Sequence, residues 1–435
     1  MNTILFGLLV LAGLVSPMAY ALNGGTTYPS GDTIAASGPR DDSSESRDYA
    51  TRLESVFVAV EERFYRDPTT LPNYFAAKQS ARTAVETCDD HLQFGAIVNR
   101  YLQILDASHT YYLTPYDWEY YQIAGVFESL PIIQELFHHQ PLTYPSIGVI
   151  AHRLEQGWMV ADVLPGSAAA ESGLRIGDVL LKVNEDEYSP VVVWWPLVGE
   201  PATLSIRRQG QPISLPITAR KVHPSDELLA ALEASISVVE HHGTKIGYAH
   251  FYSYAGKRYQ EALEQAIQAG ELAQAQALVI DLRYGLGGAD ANYLNLFNRD
   301  VPELESIDRN GDMTKYSIPW RKPVVMLINE TSRSGKEVLA FGAKQHGLAT
   351  LVGTKTAGAV LAGSPIVIDG EDLLYLAVRD VRVDGQRLEK NGVAPHVEVT
   401  LDLSRCNGID QQREAAFDEA AKLVKPTIHP SRPSS

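Results

Sequence analysis

Residues 324–363 read VVMLINETSRSGKEVLAFGAKQHGLATLVGTKTAGAVLAG. Pro323 precedes an apolar run, Val324 to Ile328, with the length of a buried strand. Asn329 to Arg333 is polar and breaks the run. From Glu337 the spacing turns helical: Val338, Leu339, Phe341 and Ala343 favour one side, and Gly347 is a stop signal. Ser334 therefore falls at a strand-to-helix junction. Unsatisfied N–H groups and the positive end of a helix favour a developing oxyanion there, which suits a nucleophile. Serine is also a preferred N-cap, and this stretch alone leaves both readings open.

Working outward, residues 277–288 read ALVIDLRYGLGG, a second buried strand followed by a charged exit and a glycine cluster. Glycines after a strand let backbone N–H groups turn toward a ligand. Together the two stretches resemble the serine peptidases of the C-terminal-processing (tail-specific) group and their tricorn-core relatives. That family pairs Asp-Leu-Arg-x-Asn-x-Gly-Gly with a later Thr…Ser-x-x-Glu and then Gly-x-x-Thr-x-Gly. Asp281, Leu282, Arg283, Gly287, Gly288, Thr331, Ser334, Glu337, Gly353, Thr356 and Gly358 fit. The resemblance runs from about Arg47 to Val424. It implies an α/β fold with a crotonase/ClpP-like peptidase core, an N-terminal helical domain and an inserted PDZ domain.

A serine hydroxyl needs a neighbour to take its proton. The tail-specific branch uses a lysine in Thr-Phe-Gly-Lys-Gly. Here the matching residues are Thr356-Ala357-Gly358-Ala359-Val360, so a methyl group stands at the lysine position, and Gly363 aligns with that branch's glutamine. Three bases remain. His109 has the pKa range for base work near neutrality. Lys336 is expected to point away from Ser334 along a helix, and Lys355 reads as a surface charge. The segment Leu105-Asp106-Ala107-Ser108-His109-Thr110-Tyr111-Tyr112-Leu113 resembles one in the tricorn-like branch whose histidine is the general base. By the same resemblance Glu389, in Glu389-Lys390-Asn391-Gly392-Val393-Ala394-Pro395-His396, binds Ser108 and steadies His109; His396 replaces the usual aspartate. Read alone, Glu389 is equally a solvated turn residue. The implied oxyanion donors are N–H groups of the Gly287-Gly288 loop and of Gly335. Gly285, where the family usually has asparagine, is expected to loosen that loop. Asp281 and Arg283 read as a structural pair.

The chain has 435 residues, 45% hydrophobic and 21% charged, which suits a soluble protein of two to three domains. A formal net charge of −16 argues against nucleic acid or an anionic membrane as partner. Residues 1–21 read as a secretory signal, with an apolar Ile4–Val15 and Ala19-Tyr20-Ala21 before the cleavage point. A periplasmic or secreted location follows, with no later membrane span. Cys88 and Cys406 fit either one disulfide or two free thiols. The pairs His138-His139 and His241-His242 lack a ligand set, there is no HExxH, and no metal or other cofactor is expected.

Residues 22–46 read as a flexible leader and 47–142 as the N-terminal helical domain, with helix over Arg47–Tyr65 and again over Phe75–Leu105. The PDZ domain is placed at 143–222, on Pro165-Gly166-Ser167-Ala168-Ala169 and Ser172-Gly173-Leu174-Arg175-Ile176-Gly177-Asp178-Val179-Leu180. Ile147, Gly148 and Val149 would begin the edge strand that receives a peptide; the groove-lining helix is hard to find around Val191–Leu197. The peptidase core is placed at 223–425, with strands including Ile246–Phe251, Leu373–Val378 and Val397–Leu403, and residues 426–435 form a tail. Protein or peptide substrates are the implied partners, and self-association is left open. The rival to an exported serine endopeptidase is a catalytically inactive peptidase-like PDZ scaffold that binds peptides or protein C-termini, motivated by Ala359 and Gly285.

Overall fold

The computed structural model describes residues 48–424 apart from 156, 303 and 318. The expected signal, leader and tail lie outside the described residues. Six strands form the central sheet in sequence order: Ser237–His241, Thr244–His250, Ala277–Asp281, Val324–Ile328, Thr350–Gly353 and Val397–Glu398. The first pair is antiparallel and every later pairing is parallel. Asp281 pairs with Leu327 in this register. The loops after Asp281 and after Ile328 therefore leave the sheet side by side, which brings the glycine cluster to Ser334.

Both faces of the sheet are covered, as the unbroken apolar strands require. Leu278, Ile280, Met326 and Ile328 pack with Leu228, Leu232, Leu263, Val338 and Leu339 from three helices, Pro224–Ser235, Lys257–Gln268 and Gly335–Gln345. Their alternates Ala277, Val279, Val325 and Leu327 pack with Ala416, Phe417 and Ala420 of the helix Gln411–Val424. The last strand stops at Glu398, short of the expected Leu403. Its partner strand ends at Gly353, whose carbonyl takes the Val399 N–H (2.8 Å).

A second sheet of Tyr111–Leu113, Asp372–Arg379 and Ala362–Ile368 joins the N-terminal helices to the core. Tyr112, Leu374 and Ile366 face the helices, while Tyr111, Leu373 and Tyr375 face the core. Buried Asp372 accepts from Arg52 Nη1 (2.8 Å) and Tyr112 Oη (2.5 Å) and lies 2.7 Å from His91 Nε2, tying two helices to this sheet. The expected helix Phe75–Leu105 is two helices, Tyr74–Val85 and His91–Leu102, followed by a 3-10 turn. Asp90 ends the break by accepting from Gln93 N–H (2.7 Å) as an N-cap. Cys88 and Cys406 are free thiols. Cys88 packs with the N-terminal helices, whereas Cys406 sits against the Ile176 carbonyl in the inserted domain.

The inserted domain enters and leaves through a paired couple, Tyr144–Ser146 and Arg220–Val222. Its own sheet runs Val149–Leu154, Gly157–Val163, Val179–Val183, Pro201–Arg208, Gln211–Thr218, with Val149–Leu154 at an edge. Where the groove-lining helix was hard to find, the chain forms a 3-10 helix, Val192–Leu197, interrupted by Pro196. Among the described residues no helix is long and apolar enough to cross a membrane.

Candidate active site

Ser334 begins the helix Gly335–Gln345 with φ 57° and ψ −126°, a conformation non-glycine residues seldom adopt. It is fully buried. Its hydroxyl does not serve as the cap: the Glu337 N–H goes to the Ser334 carbonyl (2.9 Å). Ser334 Oγ has no hydrogen-bond partner among the described residues. A buried hydroxyl without a partner costs stability, and a catalytic role is one reason a fold keeps that cost.

Glu337 explains the motif residues around the serine. Its carboxylate accepts from Ser334 N–H (3.2 Å), Thr356 Oγ1 (2.5 Å), Gly358 N–H (2.8 Å) and Ala359 N–H (2.7 Å). One side chain thus binds the helix start to the Thr356–Ala359 loop. Ser334 N–H also donates to the Ala359 carbonyl (2.8 Å). Ala359 thus gives its N–H to Glu337 and its carbonyl to Ser334, with only a methyl side chain between them.

The next residue connects that loop to His109. Val360 N–H donates to Glu389 Oε2 (2.9 Å), and the same oxygen accepts from Ser108 Oγ (2.8 Å). Glu389 Oε1 takes the Ser108 N–H (3.0 Å). Ser108 Oγ is 2.9 Å from His109 Nδ1. The serine has one hydroxyl proton and gives it to the carboxylate, so it accepts from Nδ1–H. That leaves the basic lone pair on Nε2. His109 is buried, has φ 53°, and stands beside the Tyr375 ring with centroids 5.7 Å apart. Ser334 and His109 are therefore anchored to adjacent residues, Ala359 and Val360. Ser108, His109, Glu389 and Ser334, far apart in sequence, form one neighbourhood.

The glycine loop is tight rather than loosened. A Cβ on Gly285 (φ 62°) would meet the Tyr252 carbonyl oxygen at 1.9 Å, so only glycine fits. Leu286 N–H donates to the Tyr252 carbonyl (2.6 Å) and Tyr254 N–H to that of Gly287 (2.9 Å). Thr331 Oγ1 accepts from Tyr284 N–H (2.8 Å), which ties this loop to the one preceding Ser334. A Cβ on Gly335 would lie 2.9 Å from Gly288 N and 2.3 Å from Ala289 N. Among the described residues the N–H groups of Gly287, Gly288 and Gly335 have no protein acceptor, and those of Gly288 and Gly335 lie close together. Ala289 N–H shares that position and was not singled out from the sequence.

Lys336, expected to point away along the helix, makes no hydrogen bond to Ser334 Oγ, which has no partner among the described residues. Fully buried, its Nζ donates to the carbonyls of Tyr284 (2.6 Å) and Arg283 (3.4 Å). Burial brings its pKa down to about 7, against the pull of Asp281 and with the help of Arg333. Lys355 is exposed. Arg283 pairs with Asp281 (2.7 Å) and Asp410 (2.5 Å), and burial notwithstanding, the guanidinium and His250 hold the Asp281 carboxyl well below its usual range. Two residues the sequence reading passed over also belong here. Arg333 and Tyr111 are buried polar side chains beside Ser334 and His109; the only signal was an arginine next to the nucleophile candidate.

Of the expected peptide-binding residues, Ile147 lies in the inserted domain's core. Gly148 N–H is taken by Ser146 Oγ (2.9 Å), and Val149 opens the edge strand. His241 and His242 do acquire a third neighbour, Asp418, at 2.8 and 3.1 Å.

Residues 245–399 match the family model described as Peptidase family S41, and residues 145–192 match the PDZ domain model. A carboxyl-terminal-processing protease of Picosynechococcus is 26% identical over 209 residues, 45% of this chain and 49% of that protein. The carboxy-terminal processing protease CtpA of Bacillus subtilis is 21% identical over 295 residues, 65% of this chain and 62% of that protein. The chain thus spans about half to three-fifths of the length of these curated relatives. Among solved structures, the tricorn protease overlays with a TM-score of 0.51 at 17% identity, covering 87% of this chain and 37% of that one, a likeness of fold.

Proposed function

We propose that this chain, a peptidase S41 core carrying a PDZ domain, is an exported serine endopeptidase in which Ser334 is the nucleophile and His109 its general base. The observation that carries this reading is the linkage Ser334–Ala359/Val360–Glu389–Ser108–His109, together with an unpartnered, buried Ser334 hydroxyl.

In the first step the Ser334 proton passes to His109 Nε2 as Oγ bonds to the substrate carbonyl carbon. The carbonyl oxygen takes the charge, and the N–H groups of Gly288 and Gly335 receive it. The imidazolium that forms keeps its Nδ1–H on Ser108, whose hydroxyl passes the polarisation to the Glu389 carboxylate. The proton then moves from His109 to the leaving nitrogen as the C–N bond breaks. Water, deprotonated by the same nitrogen, releases the acyl group. Ala359 supplies no proton chemistry, so a serine–lysine dyad on that loop does not compete, and Lys336 is engaged elsewhere.

The similarity to carboxyl-terminal-processing proteases supports protein substrates processed at C-termini. The apolar Ile4–Val15 segment before Ala19-Tyr20-Ala21 supports export. Ser334 is sealed from solvent in this conformation, so the cover over it must shift to admit a peptide. The test is digestion of casein and of peptide mixtures by the full chain, with products read by mass spectrometry. Cleavage by wild type and none by Ser334→Ala is expected. Cleavage that survives in Ser334→Ala would overturn the assignment.

A further inference from the structure

Arg333, immediately before Ser334, is about nine-tenths buried (6% exposed), yet its side chain makes no hydrogen bond or ion pair among the described residues. Its Nε is fully enclosed and unpartnered. A buried guanidinium in that state is costly and is rarely retained without a partner. The nearby acids do not supply one. Glu337 spends both oxygens on Ser334, Thr356, Gly358 and Ala359. Glu119 acts on the Arg333 charge only from beyond ion-pair distance. The hydroxyl of Tyr111, 4% exposed and felt electrostatically by Arg333, is likewise buried with no partner. Three buried polar atoms without a partner, Arg333 Nε, Tyr111 Oη and Ser334 Oγ, thus belong to neighbouring residues: Arg333 adjoins Ser334 in the chain, and the Tyr111 ring packs on Tyr375, which also contacts the His109 ring. The inserted domain's edge strand Val149–Leu154 is within electrostatic reach: burial lowers the His152 pKa, Glu330 opposes that, and the charge of Arg333 lowers it further.

From this we infer that Arg333 and Tyr111 form a carboxylate-binding subsite beside the nucleophile, which selects peptides carrying a negative charge next to the scissile bond. The inference rests on the endopeptidase reading for its ligand class. A planar guanidinium donates two parallel bonds to a carboxylate, and a phenol donates a third. In a peptide that carboxylate comes either from an Asp or Glu side chain or from a free C-terminus.

The experiment uses the full chain and matched fluorogenic peptides. One pair differs by Glu against Gln at the positions flanking the cleaved bond; the other carries a free acid against an amide at a C-terminus just beyond it. Wild type is expected to favour the carboxylate member of one pair by about 30-fold or more in kcat/KM. A preference in the first pair identifies a side-chain carboxylate, and one in the second a terminal carboxylate. Arg333→Met should lose the preference while still cleaving the neutral peptide. Tyr111→Phe, which removes only the hydroxyl, should weaken the preference and guards against a misfolded arginine variant. Binding of the same peptides to Ser334→Ala, by fluorescence anisotropy, is read without turnover. Acidic peptides should bind Ser334→Ala more tightly than their amides, and the advantage should vanish when Arg333→Met is added. If wild type cleaves nothing but this binding difference holds, the catalytic reading fails and the subsite stands. Equal kcat/KM and equal binding for charged and neutral peptides would overturn the subsite, as would a preference unchanged in both variants. A loss in Arg333→Met that is the same for charged and neutral peptides would also overturn it.

Discussion

Glu389 Oε2 lies 2.8 Å from Ser108 Oγ, joining residues 281 positions apart in sequence. The same oxygen holds Val360 N–H, next to the residue whose carbonyl holds Ser334. One carboxylate therefore sets both the tautomer of His109 and the position of the loop behind the nucleophile. Ser108→Ala should reduce kcat by about 30-fold, the effect of losing roughly 2 kcal/mol from a hydrogen bond to a charged group, with KM little changed. Glu389→Gln should cost at least as much. Steady-state kinetics on a peptide substrate checks both.

The approach of Gly335 to the glycine loop gives a second expectation. An added methyl there would meet Ala289 N at 2.3 Å and Gly288 N at 2.9 Å. Backbone atoms cannot yield as a flexible side chain does, so Gly335→Ala must push the proposed oxyanion donors out of line. Losing one such donor costs roughly 3–4 kcal/mol in the transition state. Gly335→Ala should therefore lower kcat by about 100-fold or more, with near-wild-type far-ultraviolet circular dichroism.

Lys336 makes stability depend on pH in a definite direction. Its folded-state pKa is about 7, while in the unfolded chain it is that of an ordinary lysine, about 10.4. Between these values the unfolded chain binds the extra proton, so this residue makes stability rise with pH. Below about pH 7 the lysine is charged in both states and the burial penalty is complete. Relative to Lys336→Met, wild type should gain about 1.4 kcal/mol per pH unit between pH 7.5 and 9.5. Urea unfolding of the two proteins across that range measures the difference.

The buried pair of Asp281 and Arg283 carries a structural prediction. Arg283 gives its guanidinium to Asp281 and Asp410, and both Asp281 and Arg283 are essentially inaccessible to solvent. Removing one partner strands the other charges, at a cost of about 3–5 kcal/mol. Arg283→Met should lower the urea midpoint by that equivalent, whereas a double replacement of Asp281 and Arg283 by apolar residues should recover part of it.

Much of this architecture is legible in local pattern. The runs Ala277–Ile280 and Val324–Ile328 announce buried parallel strands, and the glycines after Asp281 announce a loop that shows its N–H groups. Ser334 is legible as a junction residue, although not as a nucleophile rather than a cap until its hydroxyl is seen without a bond. What local pattern does not hold is pairing across the fold. Nothing near Cys88 shows that Cys406 packs under the inserted domain, and nothing near Asp90 outweighs the helical periodicity that runs across it. Gly285 is read from sequence as slack because the carbonyl of Tyr252, which forbids any side chain there, lies outside its neighbourhood. Arg333 is missed for the same reason. Its significance is the lack of a partner, which only the packed interior displays.

The pairing of His109 with Ser334 is tested most directly by the rate at which a fluorophosphonate labels the serine. Wild type should be labelled at a single site, Ser334, and Ser334→Ala not at all. A positioned general base typically contributes 10²–10⁴-fold, so His109→Ala should be labelled about 100-fold more slowly or worse, while Lys336→Met retains labelling within about tenfold. Labelling of His109→Ala at the wild-type rate, with Ser334 still the modified residue, would contradict the account.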